Sequence, residues 1–222
     1  MKLYWNVRCG SFAPEAVAVE AGLDYRRVRA DHRTDDPAGR AGYEELNRYN
    51  PMGQIPTLVL DDETVVTEST AICLWFAELK PQAGLLPPPG SLERAWALRW
   101  LMFLACELYP VDLLESYPER YVATPDHAES LTLGAGARID RDWTIVEEAL
   151  GTGPGAGAGG GPFWLGETFC LTDLYTAMTL AWHREAGALV DRSPKLKRLL
   201  EATVARPKIA PLWAEYDLGA RF

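Results

Sequence analysis

The chain has 222 residues, of which 48% are hydrophobic and 24% are charged, a composition typical of a globular protein of one or two domains. Its formal net charge is -9, and the pI calculated from the sequence is about 4.9. Nucleic acids and anionic membrane surfaces are bound by basic surfaces, so we expect neither of them as a partner.

The cysteines and histidines show no metal-binding pattern. The four cysteines are widely spread and include no CxxC pair, which fits neither a zinc site nor a dense disulfide framework. We therefore expect no metal cofactor. The N-terminus lacks the apolar core and small-residue cleavage site of a signal peptide, and no apolar run reaches the length of a membrane span. These features predict a cytoplasmic protein.

The first eighty residues alternate strand-like runs with helical runs. A first helix is expected after residues 8–11, with Ser11 as its N-cap and Gly22 as its C′ residue. Residues 31–42 are charged and predict a loop. The remaining predicted elements are strands at residues 2–7, 24–30, 57–60 and 64–66, and helices at residues 43–49 and 68–79. This order indicates a small α/β unit.

The rest of the chain has a different pattern. Residues 80–92 are rich in proline and glycine and predict a linker, after which the pattern becomes helical. Helices are predicted at residues 92–110, 126–150, 173–186 and 194–205, with a tail from residue 207. We therefore expect an α/β domain at residues 1–80, a linker at 81–92 and an all-α domain at 93–222.

A stretch of almost pure glycine, alanine and proline occupies residues 151–162. It follows a helix rather than a strand and lacks the Lys-Ser/Thr ending of a phosphate-binding loop. The pattern therefore favours a flexible insertion between helices over a nucleotide site.

The most informative stretch runs from residue 50 to residue 60. Two turn signals lead into Gln54, Ile55 and Pro56, and a short apolar strand follows at once. Proline is suited to the first residue of a strand, and the X-Pro bond is the one peptide bond for which the cis form costs little. We expect this stretch to present the backbone of Ile55, together with side chains that follow Val66, to a small peptide-like ligand.

These motifs, in this order, resemble the cytosolic glutathione transferase superfamily over essentially the whole chain. The matching segments are Gln-Ile-Pro-Thr-Leu at residues 54–58, Glu68-Ser69 at a helix start, the proline-rich linker and the helical second half. The opening residues 1–4 and Ala13-Pro14 are most similar to the bacterial beta-type branch. The resemblance implies a thioredoxin-like N-terminal domain followed by an all-helical C-terminal domain, and a homodimer.

The resemblance also implies a binding site for glutathione. The backbone of Ile55, beside Pro56, would pair with the cysteinyl backbone of glutathione. Glu68 would take the γ-glutamyl amine, while Ser69 and the N–H groups of its helix would take the carboxylate. Gln54 would add a polar contact. The alternative is that Glu68 and Ser69 only cap a helix.

The residues available to activate the glutathione thiol depart from the family pattern. Family members place Tyr, Ser or Cys in the loop before the first helix, but the corresponding positions here hold Gly10 and Trp5. Ser11 could donate its hydroxyl to the thiolate, which is the interpretation we prefer. Cys9 could instead form a mixed disulfide with glutathione. Alternatively, Ser11 is only an N-cap and Cys9 an uninvolved thiol.

The activity implied by the resemblance is conjugation of the glutathione thiolate to electrophilic, apolar small molecules, as in detoxification. The pocket for this second substrate would use Phe103 and Tyr109, with Tyr117 or Tyr121 nearby. Two other functions remain open at this point: a glutathione-dependent thiol transferase that uses Cys9, and a binding protein that retains the fold without turnover.

Overall fold

The computed structural model describes residues 1–156 and 160–222 and divides into two compact units. The first unit comprises Met1–Leu86 and Thr203–Ala220, and the second comprises Pro87–Ala202 and Arg221–Phe222. The sequence analysis placed the segment 203–220 in the all-α domain, whereas its contacts group it with the α/β unit. Tyr216 contributes to this grouping, because its backbone carbonyl accepts a hydrogen bond from the backbone N–H of Arg8 at 3.0 Å.

The first unit is built on a mixed four-stranded sheet in the order β2-β1-β3-β4. β1 is parallel to β2, whereas β3 is antiparallel to both β1 and β4. The strands are β1 (Lys2–Trp5), β2 (Arg26–Arg29), β3 (Thr57–Val59) and β4 (Val65–Val66). This is the thioredoxin-like sheet that the sequence predicted.

The strand register brings three segments to one edge of the sheet. Tyr4 of β1 is paired with Thr57 of β3, and Leu58 of β3 is paired with Val66 of β4. Because both pairs are antiparallel, the end of β1, the start of β3 and the end of β4 lie at the same edge. The loop after β1, the residues before Thr57 and the start of the helix after β4 therefore leave the sheet together.

Four helices accompany this sheet: α1 (Phe12–Ala21), α2 (Pro37–Tyr49), α3 (Ser69–Leu79) and, from the C-terminal segment, α10 (Ile209–Glu215). α1 and α3 pack against each other. α1 ends as predicted at Gly22, whose φ of 67° is the left-handed conformation that glycine adopts without strain. α2 begins six residues earlier than the predicted residue 43, because Asp36 caps it by accepting a hydrogen bond from the N–H of Ala38 at 3.1 Å.

The second unit is all-α, as predicted. A π-helical turn, Leu104–Leu108, joins its first two helices. Its helices are α4 (Leu92–Phe103), α5 (Tyr109–Ser116), α6 (Ala128–Ala149), α7 (Leu171–Trp182), α8 (Ala186–Arg192) and α9 (Pro194–Val204), the last two residues of which are grouped with the first unit. The segment 151–162 lies between α6 and α7, and its residues 157–159 fall outside the described part of the chain. No helix of the described residues is both long enough and apolar enough to cross a bilayer.

Candidate functional site

The residues before β3 expose an unpaired piece of backbone. The Ile55–Pro56 bond is cis, as the family resemblance implies. The Ile55 side chain packs against a buried cluster that includes Tyr4, Leu46 and Val59. Within residues 1–156 and 160–222, neither the N–H nor the C=O of Ile55 has a hydrogen-bond partner. A side chain anchored in the core thus holds a backbone donor and acceptor free at the edge of the sheet.

A buried asparagine organises the loop that leads into this backbone. The Asn50 side-chain amide donates to the carbonyl of Gln54 at 3.2 Å and to the hydroxyl of Thr57 at 3.0 Å. Its oxygen accepts the N–H of Met52 at 3.1 Å. Gly53 has a φ of 62°, and a Cβ at this position would lie 2.5 Å from a tyrosine hydroxyl of α2. The sequence identified Asn50 only as part of a turn signal, whereas its side-chain hydrogen bonds fix the path of the loop. Gln54 itself is exposed.

The charged part of the predicted site lies at the start of α3. Glu68 is exposed and has φ and ψ of 64° and 114°, a backbone conformation that is costly for a residue with a Cβ. Its side chain makes no capping hydrogen bond, which disfavours the alternative in which Glu68 is only a cap. Ser69 is the first residue of α3 and is half-buried. A free carboxylate therefore stands beside a helix N-terminus, which attracts anions.

The two predicted catalytic candidates form one hydrogen-bonded pair. The Cys9 sulfur lies 2.9 Å from the Ser11 hydroxyl oxygen and 3.0 Å from the carbonyl oxygen of Asn6. Cys9 is half-buried, whereas Ser11 is completely buried. Ser11 occupies the N-cap position of α1 but makes no capping hydrogen bond with its side chain. Its hydroxyl is instead 3.0 Å from the hydroxyl of Tyr216.

Behind this pair lies a buried carboxylate that the sequence analysis did not identify. Tyr216 donates a hydrogen bond to Glu15 Oε2 at 2.5 Å, and Tyr25 donates to Oε1 at 2.9 Å. The Arg27 Nε atom is 2.5 Å from the same Oε1. The only sequence signal was a glutamate among the apolar residues of α1. Tyr216 is 205 positions from Ser11 in the chain, so nothing local could have indicated it.

The protonation states of this network follow from burial. Burial raises the pKa of the Cys9 thiol, although its contacts with Ser11 and Asn6 act in the opposite direction. Burial also raises the pKa of Glu15, against the effects of Tyr216 and Arg27. The pKa of Tyr216 lies well above its usual value because of burial and the charge of Glu15. At neutral pH Cys9 is therefore a thiol, and Tyr216 keeps its proton.

The second unit contains the residues predicted for an apolar pocket. Phe103 packs with its ring centroid 5.3 Å from that of Trp100, and Tyr109 lies 4.6 Å from Trp182. An open pocket of about 640 Å³ also lies on this unit, and neither Phe103 nor Tyr109 lines it. Its lining includes Val111, Leu114, Tyr121, His127, Leu131 and Arg138. In the described ranges, no group of three or more His, Cys, Asp or Glu side chains could hold a metal ion.

The fold and these features define the class of protein: a thioredoxin-like domain with a cis-proline before β3, joined to an all-α domain. The family described as the glutathione S-transferase N-terminal domain matches residues 15–79. A curated relative, Glutathione S-transferase GstA of Escherichia coli O157:H7, is 26% identical over 210 residues, which cover 94% of this chain and 95% of the relative.

Solved structures extend the similarity to the whole fold. A glutathione transferase homologue from Sulfitobacter with bound glutathione has a TM-score of 0.81 and 25% identity, covering 96% of this chain and 97% of that one. A glutathione transferase from Methylococcus capsulatus is 30% identical, with a TM-score of 0.75 and 98% of both chains covered. The beta-class enzyme of Sphingomonas chungbukensis is 25% identical, with a TM-score of 0.76 and coverage of 98% and 100%. The chain belongs to the cytosolic glutathione S-transferase superfamily.

Proposed function

We propose that this glutathione S-transferase adds the thiolate of glutathione to electrophilic, apolar small molecules. The observation that carries the proposal is the free backbone of Ile55 beside Pro56, at the same sheet edge as the carboxylate of Glu68. Glutathione offers a peptide backbone, an amine and a carboxylate, which match these groups. The Sulfitobacter homologue holds glutathione in its solved structure, which supports the same ligand for this chain.

The binding step uses backbone and charge. The N–H and C=O of Ile55 pair with the cysteinyl residue of glutathione as in an antiparallel ladder. Glu68 takes the γ-glutamyl amine, and Ser69 with the first N–H groups of α3 takes the γ-glutamyl carboxylate. Gln54 is exposed on the adjacent loop and adds a polar contact.

For the sulfur, the structure moves our preference from Ser11 to Cys9. Ser11 is completely buried and bonded inward to Tyr216, whereas Cys9 is the half-exposed member of the pair. We propose that Cys9 stays protonated and that its S–H, which donates to the Asn6 carbonyl in the unliganded chain, turns to donate to the glutathione thiolate, helped by the N-terminus of α1. The raised pKa of Cys9 disfavours the alternative in which its own thiolate performs thiol transfer.

The second substrate is assigned to the all-α unit. Among the aromatic residues predicted for this pocket, Tyr121 is half-exposed and lines the open pocket of about 640 Å³. Phe103 and Tyr109 instead pack on tryptophans. We therefore propose that Tyr121 contacts the apolar electrophile and that Phe103 and Tyr109 shape the unit from within. A homodimeric state and a cytoplasmic location remain proposals drawn from the family resemblance.

Turnover of a chloronitrobenzene-type substrate tests the assignment, with retention on immobilised glutathione as a check of binding. Cys9→Ala should lower turnover about tenfold because it removes one hydrogen bond to an anion. Cys9→Ser should keep at least the wild-type rate, because a hydroxyl is a stronger donor than a thiol. Ser11→Ala should lower turnover less than Cys9→Ala does. Unchanged turnover in Cys9→Ala, with a large loss in Ser11→Ala, would restore Ser11 as the thiol-activating group.

A further inference from the structure

The side chains behind the thiol form a chain that ends on a carboxylate. Cys9 contacts Ser11, Ser11 contacts Tyr216, and Tyr216 contacts Glu15, at distances of 2.9, 3.0 and 2.5 Å. The first three residues carry one hydrogen each on sulfur or oxygen, and the hydrogen of Cys9 also faces the carbonyl oxygen of Asn6 at 3.0 Å. Because each group can donate its hydrogen to only one neighbour, the direction of one hydrogen bond in the chain determines the direction of the next.

The direction is set at the Glu15 end. Oε1 of Glu15 accepts a hydrogen bond from the hydroxyl of Tyr25 and forms an ion pair with the guanidinium of Arg27. Oε2 faces Tyr216, whose short contact of 2.5 Å is typical of a hydroxyl that donates to a carboxylate. The single hydrogen of Tyr216 is thus committed to Glu15, and its oxygen is left as an acceptor.

Ser11 then has one hydrogen and two possible acceptors. The Tyr216 oxygen is 3.0 Å away, and the Cys9 sulfur is 2.9 Å away. Oxygen is the better acceptor, because sulfur accepts hydrogen bonds weakly. We infer that Tyr216 is a positioning residue that holds the hydroxyl hydrogen of Ser11 and so withholds it from the sulfur of Cys9.

This arrangement decides which chemistry the loop can perform. The backbone N–H of Ser11 faces the Cys9 sulfur, but a Cys9 thiolate would lack a hydroxyl donor, because the Ser11 hydroxyl already donates to Tyr216. Cys9 therefore remains a thiol, and attack of its own thiolate on a disulfide is suppressed. The hydroxyl of Tyr216, in the C-terminal segment, thus prevents the loop that carries Cys9 from performing thiol transfer. The inference does not rest on the proposed function, because the reactivity of Cys9 can be measured without glutathione.

Other charged groups surround this chain of contacts. Glu15 of α1 acts on Cys9 and raises its pKa, while Arg27 of β2 partly neutralises Glu15. Arg27 Nη1 also pairs with Glu215 of the C-terminal segment at 2.7 Å. On the solvent side, Arg8 and Asp217 form an exposed ion pair. The variants described next retain all of these charged groups, except that one variant replaces Glu15.

The test is the rate at which iodoacetamide alkylates Cys9 between pH 6 and pH 10. In this reaction the thiolate displaces iodide, an S–C bond forms, and the thiol proton goes to solvent.

Tyr216→Phe removes the oxygen that competes with sulfur for the hydroxyl hydrogen of Ser11, so Ser11 donates to the Cys9 sulfur instead. The pKa in the rate profile should fall by about one unit, and the rate at pH 7.5 should rise about threefold, because the gain in thiolate is partly offset by lower nucleophilicity. Mass spectrometry of the modified peptides separates Cys9 from the exposed Cys106, whose rate should not change.

The double variant Tyr216→Phe/Ser11→Ala distinguishes two causes of faster alkylation: redirection of the Ser11 hydrogen bond to Cys9, and a general loosening of the fold. If Ser11 supplies the donor, the gain disappears in the double variant, whereas a merely loosened loop would remain at least as reactive. Ser11→Ala alone should stay within about twofold of the wild type, because its hydroxyl does not donate to Cys9 in the native network.

A third variant covers the case in which Tyr216→Phe does not fold. In Glu15→Gln, the amide oxygen faces Tyr25 and Arg27, so its NH₂ group faces Tyr216 and donates to it. Tyr216 can then donate to Ser11, and Ser11 to Cys9, so the alkylation rate should again rise about threefold. Equal Cys9 rates in the wild type and the folded variants, or a gain that persists when Ser11 is alanine, would overturn the inference.

Discussion

Two regions of the first unit carry the proposed activity, and they are organised in opposite ways. In the binding region, from Asn50 to Ser69, the hydrogen bonds that order the loop join residues close in the chain: Asn50 bonds to Gln54 and to Thr57, seven positions away. In the sulfur region, around Cys9 and Ser11, the decisive contact is with Tyr216, 205 positions away.

The difference shows how binding and chemistry are specified separately. A short motif can hold a free backbone and a helix N-terminus in place by itself. The direction of a hydroxyl hydrogen, in contrast, depends on everything to which that hydroxyl is bonded. We therefore expect substitutions in the binding region to change affinity or stability, and substitutions in the sulfur region to change the type of reaction.

The largest effect is expected in the binding region, from Glu68→Ala. Removing the carboxylate that pairs with the γ-glutamyl amine should weaken glutathione binding about thirtyfold, as measured by titration calorimetry. Glu63→Ala is the matched control, because Glu63 is also exposed and has a similar φ of 66° but lies in the hairpin turn. Equal losses in both variants would mean that binding responds to net charge rather than to this site.

Asn50→Ala should act on stability within the same region. It leaves the N–H of Met52 without its acceptor and the Gln54 carbonyl with one donor fewer, which should lower the free energy of unfolding by about 2 kcal/mol. Urea denaturation measures this change. Asn47→Ala is the control, since Asn47 is exposed and bonds only to a carbonyl of its own helix. A loss no greater than that of the control would contradict the role given to Asn50.

Tyr216→Phe should change the chemistry of the sulfur region without abolishing binding. With Ser11 donating to Cys9, the Cys9 thiolate should attack oxidised glutathione, form a mixed disulfide and release one glutathione thiolate. Conjugation should fall by less than about twofold, because only the minority of Cys9 that is anionic at neutral pH repels the glutathione thiolate. Intact-mass measurement after treatment with oxidised glutathione detects the adduct on Cys9. Equal adduct formation in the wild type would show that Tyr216 exerts no such control.

The smallest effect is the pH dependence of stability due to Glu15. Its folded-state pKa is raised above 4.5, so the native state binds the proton more tightly than the unfolded state does. The contribution of Glu15 is therefore fully present below pH 4.5 and is lost as the pH rises through the raised pKa. The free energy of unfolding of the wild type, relative to Glu15→Gln, should fall over that window in urea titrations. A difference that does not vary with pH, or that grows as the pH rises, would contradict this.

The sequence was informative where structure is local. The alternation of strands and helices and the helix start at Ser69 follow from turn chemistry and side-chain periodicity, and the cis-proline before Thr57 is what the family resemblance implies. The start of α2 was placed too late, because the cap at Asp36 lies in a stretch whose charge suggested a loop.

Where the site depends on distant residues, the sequence could not reveal it. Ser11 was an attractive donor as long as only its neighbours were known, because a hydroxyl before a helix is well placed for a thiolate. Its burial and its bond to Tyr216 became visible only in the folded chain. The tail from residue 207 carried no pattern that tied it to α1, although α10 packs there.

A crystal structure of the protein with bound glutathione tests the central claim most directly. Our account predicts that the glutathione cysteinyl residue hydrogen-bonds to both backbone groups of Ile55, that Glu68 contacts the γ-glutamyl amine, and that the sulfur lies in contact with Cys9 while Ser11 remains bonded to Tyr216. Glutathione bound away from Ile55, or a Ser11 hydroxyl that has left Tyr216 to meet the sulfur, would contradict it.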